Sequence, residues 1–173
     1  MAKFYDAIII GSGPAGLTAA LYLGRAGQKC VILEKEFPGG YTAKIAEIEN
    51  YPGHETISGM DLTMIMQKQA EKFGAELVFP VEVVEMDLKD EIKRVKTRDE
   101  AYEAYVVIIA VGVARKKLKV PGAREFLGKG VSYCATCDGS FFKGRPVAVV
   151  GAYNEAADEA LHLAELASKV VFI

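Results

Sequence analysis

The chain has 173 residues, of which 51% are hydrophobic and 25% are charged, and its formal net charge is −2. This composition is typical of a globular protein and excludes the disordered class. Because 21 Lys and Arg stand against 23 Asp and Glu, no basic surplus exists for a phosphate backbone, and we expect no nucleic-acid partner. No apolar run approaches the length of a bilayer crossing and no signal peptide opens the chain. We therefore expect no membrane partner and a cytoplasmic location.

The first third of the chain predicts a βαβ unit. Residues 4–10 form an apolar run typical of a strand buried on both faces. Residues 14–26 predict a helix, with Pro14 in its first turn and Gly27 just past its end. Residues 30–33 predict a second buried strand.

The middle of the chain is an excursion that ends in a further strand. Residues 37–53 are rich in Pro and Gly and predict an irregular functional loop. Ser58 is placed to cap a helix that ends near Gly74. Strands are then predicted within residues 77–88, 92–97 and 104–110.

The last fifty residues repeat the strand–turn–helix plan of the first. Pro121-Gly122 marks a boundary, and residues 146–150 predict a strand that leads into a second glycine turn at Gly151. A helix is predicted over residues 154–167, and residues 170–173 begin another strand. The sequence thus predicts two α/β units.

A glycine motif follows the first predicted strand and opens the first predicted helix. Gly11 allows a tight turn, Gly13 lets the backbone approach a pyrophosphate, and Gly16 allows close packing of helix on strand. The helix N-terminus presents free N–H groups to the phosphates. Glu34, 23 residues after Gly11, can accept hydrogen bonds from an adenosine ribose. We interpret this as a dinucleotide site; the alternative is a structural turn without a ligand.

The second constellation is Cys134-Ala-Thr-Cys137-Asp138. An odd total of three cysteines argues against a disulfide-stapled secreted scaffold. Two thiols this close can form a disulfide and exchange it with an external dithiol, while Asp138 gives or takes the proton. The alternative is half of a zinc site, which needs two more ligands. Since the candidates are scattered along the chain, we predict no metal; those candidates are Cys30, His54 and His162.

Four motifs in this order resemble the low-molecular-weight thioredoxin reductases, which are FAD-dependent pyridine-nucleotide-disulfide oxidoreductases. They span residues 11–16, 39–40, 49–53 and 130–139, and the last motif is highly specific. The resemblance implies a Rossmann-like, three-layer FAD-binding domain over residues 1–113. Residues 114–173 would be the start of a second, inserted Rossmann-like domain that carries the cysteine pair. The chain is expected to be truncated, to hold FAD weakly or not at all by itself, and to form a homodimer when complete.

The resemblance also implies the cofactor site. Asn50 would face the flavin, Val83 would contact the adenine through its backbone, and Gly112 would lie beside the cofactor. The full set of expected FAD-binding residues is Gly11, Ser12, Gly13, Pro14, Ala15, Gly16, Glu34, Lys35, Gly40, Asn50, Val83, Ala110 and Gly112.

The family mechanism gives the cysteine pair a role. Electrons from FAD would reduce the disulfide between Cys134 and Cys137, with Asp138 as proton donor. The resulting dithiol would then attack the disulfide of a thioredoxin-like protein. The spacing leaves open which cysteine faces the flavin and which attacks the partner. The competing hypotheses are a peroxiredoxin-like acceptor and a redox-inactive binding module that kept the fold.

The second glycine turn departs from the NADPH-binding pattern. Tyr153 occupies the place of the middle glycine, where a backbone must approach pyrophosphate, and Glu155 adds a negative charge beside the helix start. This variant is similar to the ferredoxin-dependent flavin thioredoxin reductases. We therefore expect ferredoxin or another donor that is not a nicotinamide, with NADPH as the alternative donor.

Overall fold

The structure is a computed structural model that describes residues 2–113 and 116–173. The chain divides into two compact units, Met1–Val113 and Ala114–Ile173. Each unit has its own sheet and its own hydrophobic core, and each is described by itself below. Both are of the Rossmann-like α/β class that the sequence predicts.

The first unit is built on a six-stranded sheet in the order β3-β2-β1-β6-β5-β4. The three strands β3, β2 and β1 and the neighbouring β6 are parallel, whereas β6, β5 and β4 form an antiparallel meander. The strands are β1 (Lys3–Ile10), β2 (Cys30–Leu33), β3 (Glu76–Val78), β4 (Val83–Asp87), β5 (Lys93–Thr97) and β6 (Ala101–Ile109).

Strand β1 is buried on both faces, as its continuous apolar run predicts. On one face Ile8 and Ile10 pack with Val95 and Tyr102 of the meander. On the other face Ile9 and its neighbours pack against the first helix, α1 (Pro14–Arg25). Strand β1 therefore contributes to two cores, one shared with the meander and one shared with the helices.

The helical layer consists of α1 and α2 (Gly59–Lys72). Ser58 caps α2 as predicted, because its hydroxyl accepts a hydrogen bond from the N–H of Asp61 at 3.0 Å. The helices meet closely where Gly24 faces the end of α2: a Cβ on Gly24 would lie 2.5 Å from the carbonyl oxygen of Phe73.

The second unit is a smaller strand–helix–strand arrangement. Strands β7 (Pro146–Val149) and β8 (Lys169–Phe172) are parallel, and α4 (Asn154–Ala164) connects them. A short helix, α3 (Ala135–Asp138), carries the second cysteine. The hydrophobic core of the second unit is formed by three elements, through Ala135 of α3, Val149 of β7 and Leu163 of α4.

The structure changes several predicted boundaries. The stretch 77–88 is two strands, because Pro80 lies between them and proline donates no ladder hydrogen bond. Strand β6 begins at Ala101 rather than Ala104, since the meander partner β5 extends its pairing. Within the described ranges, none of the helices combines the length and the apolar composition that crossing a membrane requires.

Replacing Gly24 by Ala tests the contact between α1 and α2. A glycine-to-alanine change within a helix ordinarily stabilises by about 0.5–1 kcal/mol. Here the new methyl group would meet the Phe73 carbonyl, so we expect the free energy of unfolding to fall by about 1–3 kcal/mol. Denaturant unfolding followed by circular dichroism measures it. Thr18→Ala at an exposed position of α1 is the control, and equal stability of the two variants would contradict the contact.

Candidate functional site

The glycine turn is closed by backbone contacts that leave no room for side chains. Gly11 has a φ of +102°, and a Cβ on it would collide with the carbonyl oxygen of Ala110. A Cβ on Gly16 would collide with the carbonyl oxygen of Gly11. These two contacts fix the start of α1 against the ends of β1 and β6.

The N-terminus of α1 is open where a phosphate would approach. Its N-cap is Gly13, which has no side chain, and its first turn is the uncharged run Pro14–Leu17. A Cβ on Gly13 would meet no described heavy atom within 4 Å. Free N–H groups and the positive end of the helix dipole suit an anion. This cradle fits the pyrophosphate of a dinucleotide such as FAD.

Ser12 joins three segments of the site. Its N–H and its hydroxyl both donate to one carboxylate oxygen of Glu34, at 2.8 Å each. The N–H of Gly39 in turn donates to the carbonyl and hydroxyl oxygens of Ser12, at 3.1 and 3.2 Å. Because Ser12 is fully buried, this hydrogen-bond network holds the glycine turn, the end of β2 and the 39–40 loop together. Gly40 then lies against Gly13, with its Cβ position 3.2 Å from the Gly13 Cα.

The carboxylate of Glu34 is held ionised by its neighbours. Burial raises the pKa of Glu34, but hydrogen bonds from the N–H groups of Glu36 and Ser12 and from the Ser12 hydroxyl outweigh burial, so the pKa lies below its ordinary value. A carboxylate has about four acceptor positions. Three are used by Ser12 and Glu36, and the N–H of Lys35 also helps to lower the pKa of Glu34, so a ribose hydroxyl would share the remaining position with Lys35.

Lys35 points into a different interaction. Its ammonium group lies 2.6 Å from a carboxylate oxygen of Glu82, and Arg98 lies 3.1 Å from the other oxygen. These three side chains line a cavity of about 220 Å³ together with Val81. Val83 begins β4 just beyond it. Glu82 and Arg98 could not be predicted at this site, because nothing local in the sequence signals that they meet Lys35.

The remaining predicted cofactor residues are spread over two segments. Ala110 and Gly112 follow β6, and the N–H of Ala110 donates to the carbonyl of Ile10 at 2.8 Å. Ala110 therefore lies beside the glycine turn, and Gly112 follows it two residues later. Asn50 lies in a separate exposed loop whose base is closed by pairing of Ile48 with Ile57.

The cysteine pair occupies one tight turn of the second unit. Cys134 and Cys137 are joined by a disulfide, with their Cα atoms 5.3 Å apart. Cys134 caps α3, since its sulfur accepts from the N–H of Cys137 at 3.3 Å. Asp138 follows directly, and its N–H donates to the Cys134 carbonyl. Cys137 is exposed and Cys134 half-buried, so the disulfide is accessible at the surface of this unit.

Ser132 is a second residue that the sequence analysis missed. Its hydroxyl lies within hydrogen-bond distance of the Asp138 carboxylate and accepts from the N–H of Cys134 at 3.0 Å. Serine is common in loops, so its type alone gave no signal; its position two residues before a redox cysteine is the feature that would have found it.

The other titratable candidates lie elsewhere. Cys30 is fully buried in β2, where burial raises the pKa of its thiol above the ordinary value. His54 is exposed in the 51–54 turn, and His162 lies on α4 facing Gly139. Among the residues that the structure describes, no group of three His, Cys, Asp or Glu side chains is arranged to hold a metal ion.

The second glycine turn differs from the first in the residue that caps its helix. Tyr153 is the N-cap of α4 and is 81% exposed, and Glu155 lies in the first turn. Gly151 is packed tightly, since its Cβ position lies 2.5 Å from the Cβ of Ala156. The turn keeps its close helix packing but carries an aromatic side chain and an acid where the first turn carries neither.

Comparison with known proteins gives a consistent result. Residues 5–173 match the family described as pyridine nucleotide-disulphide oxidoreductase. The chain is 47% identical to a thioredoxin reductase of Bacillus subtilis over 171 residues, which are 99% of this chain and 54% of that protein. The chain thus spans about half the length of the curated relatives it matches.

Two solved structures extend the comparison. The thioredoxin reductase of Streptococcus pyogenes is 44% identical with a TM-score of 0.91, over 99% of this chain and 56% of that one. A ferredoxin-flavin thioredoxin reductase of Clostridium acetobutylicum is 35% identical with a TM-score of 0.60, over 99% of this chain and 60% of that one. These findings confirm the family resemblance that the motifs carry.

Two glycine variants separate packing from cofactor binding. We expect Gly13→Ala to fold normally, because its Cβ meets no described neighbour, yet to weaken FAD binding by at least about tenfold, a loss of about 1.4 kcal/mol. Gly16→Ala should instead lower the melting temperature, because its Cβ collides with Gly11. Flavin fluorescence titration and thermal unfolding of the complete protein measure both effects. Unchanged FAD affinity in Gly13→Ala would contradict the assigned cradle.

The Glu34 network predicts a pH-dependent contribution to stability. The folded pKa of Glu34 lies below the ordinary value of about 4.3, so its stabilisation is present above that pH and is lost as the pH falls through the folded value. Glu34→Gln should cost about 1–3 kcal/mol at pH 7 and progressively less below pH 4. Glu36→Gln, which removes an exposed ion pair with Lys44, is the control. A Glu34→Gln deficit that is constant from pH 3 to 7 would contradict this.

Proposed function

The chain belongs to the pyridine nucleotide-disulphide oxidoreductase family, and on that premise we propose that it carries the redox centre of an FAD-dependent enzyme that reduces the disulfide of a thioredoxin-like protein. The observation that carries the proposal is the accessible Cys134–Cys137 disulfide with a carboxylic acid in the same turn. An accessible disulfide with a carboxylic acid in the same turn is equipped for exchange with a second disulfide. The name of the Bacillus subtilis relative supports thioredoxin as the acceptor.

The first unit offers the residues that would hold FAD. The N–H groups at the start of α1 would bind the pyrophosphate, and Glu34 would accept from the ribose. Gly40 and Ala110 border the same turn. Lys35, Asn50, Val83 and Gly112 complete the proposed set. When bound, FAD would supply the redox chemistry that carries two electrons from the donor to the disulfide.

The cysteine turn would perform the thiol chemistry. After reduction, one thiolate attacks a sulfur of the partner disulfide and forms a mixed disulfide, and the other cysteine then displaces the partner as a dithiol. Asp138 supplies and retrieves the proton that these steps move. Cys137 is exposed whereas Cys134 is half-buried. This difference is consistent with Cys137 as the cysteine that meets the partner.

We further propose a donor other than NADPH. Exposed Tyr153 stands at the N-cap of α4 where a pyrophosphate would need to approach the backbone, and Glu155 repels it. The relative from Clostridium acetobutylicum is named a ferredoxin-flavin thioredoxin reductase, which supports ferredoxin as the donor class.

The cytosol, where thioredoxin systems keep thiols reduced, is the compartment that suits this chemistry. The family resemblance supports a homodimer of complete chains.

Substitution of the redox residues tests the function. In the complete FAD-loaded protein, Cys137→Ser should abolish thioredoxin reduction, because the disulfide can no longer form. Asp138→Asn should lower kcat by about 10²-fold or more, the ordinary worth of a positioned general acid. Cys30→Ser, at a buried thiol outside the site, is the control. Full thioredoxin reduction by Cys137→Ser would overturn the proposal in favour of a redox-inactive module. If the unaltered protein reduced a peroxiredoxin faster than it reduced thioredoxin, the peroxiredoxin would be the acceptor instead.

The donor is tested by following the flavin absorbance of the complete protein. We expect reduced ferredoxin to bleach the flavin band rapidly and NADPH to bleach it at least about tenfold more slowly. Tyr153→Gly should narrow that gap, because it reopens the approach to the helix start, whereas Tyr22→Gly, at an exposed tyrosine of the first unit, should not. Rapid bleaching of the unaltered protein by NADPH would establish NADPH as the donor.

A further inference from the structure

We propose that Ser132 is a positioning residue that holds the carboxyl group of Asp138 in place, within the turn that carries the Cys134–Cys137 disulfide, in both of its protonation states. The proposal rests on the proposed function, because it serves the proton transfer assigned to Asp138. It adds a residue outside the Cys-x-x-Cys-Asp motif to the machinery of the reaction.

Ser132 contacts the acid and the first cysteine at the same time. Its hydroxyl donates to one carboxylate oxygen of Asp138 and accepts from the backbone N–H of Cys134 at 3.0 Å. The carbonyl oxygen of Cys134 lies 3.3 Å from the same hydroxyl. Both Ser132 and Asp138 are half-buried, so water competes less for these bonds than at an exposed site.

The hydroxyl has the right capacity for both states of the acid. A serine hydroxyl has one donor and two acceptor positions, and the N–H of Cys134 occupies one acceptor position throughout. When Asp138 is ionised, the hydroxyl donates to it. When Asp138 is protonated, the acid donates to the second acceptor position, and the Ser132 proton turns to the Cys134 carbonyl. The carboxyl group is therefore held in place before and after it transfers its proton.

The step that this serves is the opening of the disulfide. The disulfide receives two electrons and one proton from a reduced flavin, or from a dithiol in the test below, its sulfur–sulfur bond breaks, and two sulfur anions form. One takes the proton from the reductant. The other takes the proton from Asp138, which becomes a carboxylate that Ser132 stabilises. The products are two thiols and an ionised Asp138, and a later proton uptake from water restores the acid.

The experiment compares three serine variants in the complete FAD-loaded protein. Ser132→Ala removes both the donor and the acceptor, Ser132→Thr keeps the hydroxyl, and Ser140→Ala removes an exposed serine of the same loop as control. For thioredoxin reduction we expect Ser132→Ala to lower kcat about tenfold with KM within twofold, because positioning contributes part of the worth of a general acid. Ser132→Thr should recover to within about threefold of the unaltered protein.

A second readout does not depend on thioredoxin. Reduction of the Cys134–Cys137 disulfide by dithiothreitol, followed by thiol alkylation and mass spectrometry, should be about threefold slower in Ser132→Ala than in Ser140→Ala. If thioredoxin reduction is absent in every form but this difference persists, the proposed function fails and the role of Ser132 stands. If the unaltered protein reduces thioredoxin while Ser132→Ala matches Ser140→Ala in both assays, or Ser132→Thr is as slow as Ser132→Ala, the role of Ser132 is overturned.

Discussion

The carbonyl oxygen of Gly11 fills the space that a side chain on Gly16 would need, and the carbonyl of Ala110 does the same at Gly11. These contacts bring the start of α1 against the ends of two neighbouring strands, which is where ligands bind in open α/β sheets. The buried hydroxyl of Ser12 then fastens Glu34 and the 39–40 loop to the same turn. Packing excludes side chains at Gly11 and Gly16, whereas the backbone at Gly13 stays open. The shape of the proposed FAD site therefore follows from close packing on either side of Gly13 rather than from a set of charged groups.

The cysteine turn of the second unit uses a different device, which is hydrogen bonding within a short loop. Cys134 caps α3 through its own sulfur, and Ser132 ties the backbone of Cys134 to the Asp138 carboxylate. All these partners lie within seven residues of one another, from Ser132 to Asp138. The positions of the Asp138 carboxyl group and of the disulfide are therefore set by hydrogen bonds within this one loop. Such a self-contained loop suits the proposed function, in which the disulfide is first reduced and then reacts with a partner protein.

Much of this was accessible from the sequence because it depends on local patterns. The apolar run of β1, Pro14 at the first helical position and Ser58 at the cap of α2 each have a local physical cause, and the elements formed as expected. Tertiary pairing was not accessible. The ion pairs that join Lys35 and Arg98 to Glu82 link residues 16 and 47 positions apart, and the start of β6 at Ala101 depends on its partner β5. The break at Pro80 could have been predicted, because proline lacks the N–H that a strand needs. The pattern of apolar residues, taken by itself, does not show it.

The central claim is that the Cys134–Cys137 pair exchanges disulfides with a thioredoxin-like protein. Its most direct test uses the complete protein with Cys134→Ser or Cys137→Ser and a thioredoxin that keeps one active-site cysteine, loaded with thionitrobenzoate. We expect one of the two variants to release thionitrobenzoate and to form a covalent complex that has the mass of both chains. Dithiothreitol should separate the two chains again, because it reduces the disulfide that joins them. The double variant lacking both cysteines should form none, because Cys30 is buried. Failure of both single variants to form the complex faster than the double variant would contradict the account.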